Sequence, residues 1–224
     1  MLRVEGVMGV PIRIDVRDED VDPGAVQAAF DWFVEVDERF STWKPTSEIS
    51  RINRGELAVD DAHPDVAAVL DRCRQLGDLT DGYFDAWAVV RDLPGDGRDA
   101  SVFLPGAVEP SGLVKGWAVE RAGKVLEAEG ARNYSVYAGG DIRTRGSALP
   151  AAVWRVGIQH PRQPGPIATL ELHDGEAIGT SGAGTPSHLC IASFNGLAGI
   201  KMGRQIAGCY LAGLLQHRHH RIAD

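Results

Sequence analysis

Residues 115–146 constrain the fold more than any other stretch, because they read as one helix passing into one strand and then into a Gly-Gly-Asp turn. Ala118, Ala122, Val125 and Leu126 recur at helical spacing, Gly130 stands where a left-handed C-cap belongs, and the outward positions are charged. Tyr134 to Ala138 has the residue types of a strand. Gly139 and Gly140 let the backbone adopt positive φ and approach a ligand closely. Asp141 follows at the mouth of a buried strand, where a carboxylate needs a charged partner or a solvated ligand. Sites concentrate in loops at strand ends, so Asp141 is the candidate catalytic carboxylate.

The flanking segments extend this unit into a mixed fold. Val10, Ile12, Ile14 and Val16 alternate with Pro11, Arg13, Asp15 and Arg17, the period of a half-buried strand at an edge or in a hairpin. Asp22-Pro23 predicts an N-cap followed by proline in the first turn, and Val26, Phe30, Phe33, Val36 and Phe40 predict a helix ending near Arg39. A second helix is expected from Pro64, burying Val66, Leu70, Cys73 and Leu76 and stopping at Gly77; the third runs from about Val114 to Glu129. Trp154 to Ile158, Ile167 to Leu172 and Glu176 to Thr180 read as strands separated by turns. Helices and strands are mixed without strict alternation, which predicts an α+β architecture of mixed, largely antiparallel sheets packed with helices.

Composition excludes several functions. The chain has 224 residues, 44% of them hydrophobic, enough for a real core in one large domain or two small ones. A net charge of -8 with no basic run before the last residues excludes nucleic acid as the expected partner. No segment approaches the roughly 20 apolar residues of a membrane span, and the first residues show no signal-peptide pattern, so the expected location is cytoplasmic. Cys73, Cys190 and Cys209 are too few and too scattered for a disulfide framework or a zinc site. The stretch after Gly182 differs from the rest: it carries net +3 and holds four of the seven histidines, with no strand alternation.

Four motifs are chemical candidates, each with a plain structural reading beside it. In Phe40-Ser-Thr-Trp-Lys-Pro-Thr-Ser-Glu-Ile-Ser-Arg-Ile-Asn53, Trp43 offers a rigid face for a flat ligand, while Thr46 or Ser47 would cap a short helical turn. In Thr80-Asp-Gly-Tyr-Phe-Asp85, Asp85 would accept hydrogen bonds from a bound ring, or the segment is a turn with Tyr83 and Phe84 as core plugs. Ser111-Gly-Leu-Val-Lys-Gly116 reads as a loop before a helix, where amide groups and Lys115 attract phosphate, although it lacks the P-loop pattern. Gly179-Thr-Ser-Gly182 offers hydroxyls and amides after a short strand, whereas His217, His219 and His220 read as a solvated tail rather than a metal site.

In order along the chain, Val7-Met8-Gly9, the Phe40–Asn53 motif, Asp-Gly-Tyr-Phe-Asp, Val-Lys-Gly-Trp-Ala-Val-Glu-Arg-Ala, Ala-Gly-Gly-Asp-Ile-Arg, Trp-Arg-Val-Gly-Ile and Gly-Thr-Ser-Gly resemble the ApbE-type flavin transferases, FAD:protein FMN transferases. The resemblance implies an ApbE-like fold and a Mg²⁺-dependent enzyme that cleaves FAD and attaches FMN through a phosphoester to a Thr or Ser hydroxyl of a flavoprotein acceptor. It implies that Met8 and Trp43 pack on the flavin nucleotide, that Tyr83, Phe84 and Asp85 form a binding segment, that Lys115 contacts FAD and that Ala118 faces the substrate pocket. Gly112 lies where a backbone carbonyl is expected to bind the cation.

The resemblance covers residues 7–182. The Asp-Pro-Arg-like stretch and the Ala-Asp-Ala-like helix that complete the family's Mg²⁺ site have no counterpart after Gly182, where Ser187-His188 is a faint echo. The chain therefore divides into an ApbE-like domain at residues 1–182, lacking the usual C-terminal part, and an atypical tail at 183–224. The alternatives to transfer are a FAD-binding relative with impaired turnover and a pyrophosphatase releasing FMN and AMP. A second copy of the chain would cover the apolar seam left by missing strands, making a homodimer an expected assembly.

Overall fold

The computed structural model describes residues 1–82, 84–87, 106–159, 164–182 and 189–195. Leu2–Val7 (β1) and Val10–Val16 (β2) form a hairpin, followed by helices Pro23–Phe40 (α1), Glu48–Asn53 (α2) and Pro64–Leu79 (α3). Helix Ser111–Ala128 (α4) leads into strands Tyr134–Ala138 (β3), Asp141–Arg145 (β4), Trp154–Gln159 (β5), Pro166–Leu172 (β6), Glu176–Gly182 (β7) and Leu189–Asn195 (β8). The strands form a six-stranded sheet in the order β1-β2-β3-β4-β7-β8, with every neighbouring pair antiparallel, and a separate β5-β6 pair.

The period-2 pattern of β2 sends Ile12, Ile14 and Val16 to a fully buried face, where Phe30 and Phe33 of α1 and Leu126 of α4 meet them. Burying each such side chain contributes about 1.5–3 kcal/mol, so this layer dominates the stability. The opposite face carries a second, smaller core of Ile142, Trp154, Leu172 and Ile178 beneath the β5-β6 pair. Trp154 satisfies its indole N–H on the Arg145 carbonyl at 3.2 Å, and the Arg17 guanidinium lies 5.7 Å from its ring centre.

Local chemistry sets the helix ends. Asp22 caps α1 by accepting from the Gly24 N–H at 2.6 Å, with Pro23 in the first turn. Ser47 caps α2 by accepting from the Ser50 N–H at 3.0 Å. Helix α3 runs through Gly77 to Leu79 and ends at Thr80, whose hydroxyl donates to the Leu76 carbonyl at 2.7 Å. The expected stop at Gly77 is thus corrected: a glycine without positive φ does not terminate a helix whose next turn is capped.

Three strands escaped the sequence pattern. In β1, Leu2 and Val4 are more than half exposed, so its apolar residues mark no buried face. It takes the sheet edge and leaves β2 an interior strand. In β4, Asp141, Arg143 and Thr144 are buried polar residues, and hydrophobic alternation is missing because both faces are covered. The third, β8, pairs along β7 from Gly182↔Leu189 to Glu176↔Asn195, so the sheet continues past the boundary expected at Gly182.

Candidate active site

Two tight turns bring the candidate residues to one end of the sheet. Val7↔Val10 and Ala138↔Asp141 each close a two-residue hairpin, and the Ile12↔Ala138 register puts both turns at the same end. Their central residues all have positive φ: Met8 +56° and Gly9 +70° in one, Gly139 +52° and Gly140 +98° in the other. That is the geometry favoured by right-twisted hairpins, and it is why glycine fills three of the four positions. Asp141 follows directly as the first residue of β4 and is 2% exposed.

Lys115 reaches this end from the second turn of α4. A β-carbon placed on Gly139 would lie 3.0 Å from Val10 Cγ1 and 3.3 Å from Lys115 Nζ. The Gly139 turn, the Met8 hairpin and the Lys115 ammonium therefore form one contiguous patch. Expected sites separated by more than 100 residues in the chain meet here.

Beside Met8 opens a groove of about 580 Å³ between the β1-β2 hairpin and α1, with Val34, Asp37 and Lys44 on its far wall. Lys44 donates to Asp37 and Glu38 at 2.6 Å each, and these two hydrogen bonds hold its ammonium above the ordinary lysine range. The neighbouring Trp43 is 59% exposed, a large aromatic face turned to solvent. The rest of the Phe40–Asn53 motif is scaffolding. Ser47 and Ser50 hydroxyls donate to the Ser41 carbonyl at 2.6 and 3.2 Å. Asn53 clamps the backbone of Val108 from both sides, donating to its carbonyl at 3.0 Å and accepting from its N–H at 2.8 Å.

Helix α4 begins at Ser111, three residues before the expected start, so Ser111 to Gly116 is helical and not the flexible loop expected. Gly112 lies in the first turn and Lys115 three residues on, hence on one face of the helix. The Glu109 carboxylate already accepts from the Ser111 N–H at 3.0 Å, so part of the phosphate-attracting helix start is taken by the chain's own anion. Ala118 continues the Gly112–Lys115 stripe but is fully buried in the main core, so its methyl group faces packed side chains rather than an open pocket. Its carbonyl accepts from Trp32 Nε1 at 3.1 Å.

The segment after α3 is a turn held by Thr80, whose hydroxyl accepts from the Phe84 N–H at 3.0 Å, with Asp81 and Gly82 at positive φ. Phe84 is a core plug at 4% exposure. Asp85 is exposed and accepts from the Trp87 N–H at 2.8 Å. Tyr83 and the histidine-rich end lie outside the described residues. Gly179 to Gly182 lies within β7, so it is strand rather than a loop beyond one. Among the described residues no group of three or more His, Cys, Asp or Glu side chains is arranged around a metal position. Cys73 is a buried thiol pushed up to about 12 by desolvation.

Two groups were given no role in the sequence reading. One is Glu109, which offered no motif signal. The other is Arg143, 9% exposed, which donates to Tyr134 Oη at 3.1 Å and to Glu127 at 3.0 Å and also pairs with Glu120. Burial alone would lower the Arg143 guanidinium, but Tyr134 and Glu120 outweigh it and hold it above the ordinary range; burial pushes the Tyr134 phenol up. A β-carbon on Gly123 would come within 2.6 Å of Arg143 Nε, so a glycine there is what lets α4 sit this close to β3 and β4.

An antiparallel sheet with helices on one face, two tight turns and the Lys115 ammonium of α4 together at one sheet end, and a groove beside Met8, define an α+β protein. The ApbE family model matches residues 8–99 and 104–186, and the chain belongs to the ApbE family. FAD:protein FMN transferase of Vibrio cholerae is 26% identical over 182 residues, covering 66% of this chain and 54% of the relative. The Chlamydia trachomatis protein of the same name is 29% identical over 219 residues, covering 80% and 66%. The chain thus spans about half the length of the Vibrio relative and just under two thirds of the Chlamydia one. Among solved structures, flavin transferase ApbE from Vibrio cholerae superposes with a TM-score of 0.67 at 21% identity, covering 84% of this chain and 73% of that one. The apo flavinyl transferase ApbE of Pseudomonas stutzeri gives 0.63 at 20% identity, covering 82% and 69%. These superpositions bear out the α+β, largely antiparallel fold.

Proposed function

We propose that this chain binds FAD and transfers its FMN half to a Thr or Ser hydroxyl of a flavoprotein acceptor. The observation that carries this reading is the meeting of Met8, Lys115 and the Gly139-Gly140-Asp141 turn at one sheet end, next to the groove lined by Lys44, the sequence neighbour of Trp43. A dinucleotide needs apolar surface for its rings and a cation with close backbone for its pyrophosphate, and this patch offers both. Membership of the ApbE family and the names of the curated relatives support the same reading.

In this reading the acceptor hydroxyl oxygen attacks the phosphorus on the FMN side, the P–O bond to AMP breaks, and AMP leaves with the electron pair. Asp141 takes the hydroxyl proton, and Lys115 offsets the charge that develops on the phosphoryl oxygens. Trp43 and Met8 hold the flavin, and Asp85 lies on the binding segment after α3. Mg²⁺ would add Lewis-acid stabilisation, but the described donors, chiefly the Gly112 carbonyl and Asp141, do not make a hard-cation site, which needs six or so oxygen ligands. Sheet pairing to Asn195 supports taking the body proposed for this chemistry past residue 182.

The test is incubation with FAD, Mg²⁺ and a candidate acceptor, followed by in-gel flavin fluorescence and measurement of AMP. Labelled acceptor with equimolar AMP is expected. AMP without label means hydrolysis, and bound FAD with neither product means a binding protein; either result overturns transfer.

A further inference from the structure

Glu109 is half-buried at the point where three separate segments converge. Its Oε2 accepts from the Thr42 hydroxyl at 3.1 Å, immediately before Trp43. Its Oε1 accepts from the Ser111 N–H at 3.0 Å, immediately before Gly112. Its own N–H donates to the Ala86 carbonyl at 2.7 Å, immediately after Asp85. The Asn53 clamp on Val108 fixes the backbone one residue earlier, so the carboxylate projects from a braced position.

We infer that Glu109 is a positioning residue that holds the Trp43 loop, the Asp85 segment and the first turn of α4 in one arrangement, so that the FAD site is pre-formed. The inference rests on the flavin reading above. The physical argument is one of preorganisation. A loop residue such as Trp43, with its ring exposed, has few contacts of its own, and a ligand that had to order it would lose affinity by the entropy of doing so. A carboxylate is suited to the task because it alone accepts on both oxygens, and charge-assisted hydrogen bonds are roughly twice as strong as neutral ones.

Three variants of the full chain test it: Glu109→Ala, Glu109→Gln and Thr42→Val, each measured by FAD titration and by amide hydrogen exchange. Glu109→Ala should weaken FAD binding about tenfold, equivalent to about 1.4 kcal/mol. Exchange should rise at 41–47 and at 111–112 and stay unchanged in β2 and α3. Glu109→Gln should restore most of the affinity, because its amide oxygen still accepts from Ser111 and its NH₂ can donate to the Thr42 oxygen. Thr42→Val should release only residues 41–47 and lose less affinity. Unchanged affinity in Glu109→Ala, or a lowered melting temperature with neither local exchange nor affinity affected, overturns the positioning role. If the unaltered chain takes up no FAD, the flavin reading fails, and the exchange pattern still decides whether the Glu109 carboxylate holds the Trp43 loop and the first turn of α4. Should Glu109→Ala not fold, the Thr42→Val and Glu109→Gln pair decides by the same two readouts.

Discussion

Lys115 Nζ lies 3.3 Å from the point where a β-carbon on Gly139 would sit, which ties a helix of one half of the core to the hairpin turn that precedes Asp141. Gly139 also has φ +52°, a conformation that L side chains adopt at a cost of about 1–2 kcal/mol. Gly139→Ala should therefore destabilise the fold by about 2 kcal/mol, read as a lower denaturant midpoint at constant m-value. It should also push the ammonium away and weaken FAD binding, as Lys115→Ala should. Normal FAD affinity in both variants would remove this turn from the site.

Trp43 separates binding from folding cleanly. With its ring 59% exposed, Trp43→Ala should change unfolding free energy by no more than about 0.5 kcal/mol, the range of ordinary surface substitutions. Flavin fluorescence quenching on titration should nonetheless fall severalfold in affinity. Equal affinity would leave the aromatic face without a role.

The Gly123–Arg143 approach predicts the opposite pattern. A methyl group at 123 would lie 2.6 Å from Arg143 Nε and 2.7 Å from Tyr134 Oη, displacing a buried charged network. Gly123→Ala should cost about 2–4 kcal/mol by overpacking and by loosening the ion pairs. Urea unfolding measures it directly; a gain in stability, as an ordinary helical Gly→Ala would show, would contradict the packing described.

Acid should act partly through Asp18. Burial by itself would raise its carboxyl, but hydrogen bonds from the Asn133 side chain and from the backbone N–H groups of Asn133 and Arg132 outweigh that and hold it below 3.8. A depressed folded pKa stabilises above the unfolded value and loses that contribution as pH falls through the folded one. Stability against urea should therefore decline as pH drops below about 4, and Asp18→Asn should be less stable at neutral pH with a flatter acid limb. Parallel acid limbs for the two proteins would refute the assignment.

Cys73 should be inert. With its thiol pushed up to about 12 by burial, almost no thiolate exists at pH 8. Mass mapping after treatment with a thiol reagent should find the Cys73 peptide unlabelled until the protein is unfolded.

How much was legible in the sequence depended on whether one local pattern carried the information. Helix α1 showed its N-cap, α1 and α3 showed their apolar faces, and β2 and β3 showed alternation or β-prone residues, because a half-buried element must sort its side chains by face. Strand β4 showed nothing, since both its faces are covered and carry polar residues, Arg143 on one and Thr144 on the other, whose partners come from other elements. Phe84 and Ala118 illustrate the converse: motif position suggested ligand contact, while packing made both part of the core.

The chain's own order of residues determined the class of fold, the turn at Gly139-Gly140, and membership of a family, because periodicity, capping and glycine conformation act over a few neighbouring residues. Only the tertiary structure decided that Lys115 meets Gly139, that Glu109 gathers three segments, and that Arg143 is neutralised inside the molecule. Those contacts join residues far apart in the chain, and they exist because burying the apolar faces of α1, α4 and the sheet leaves no other place for these polar groups to find partners.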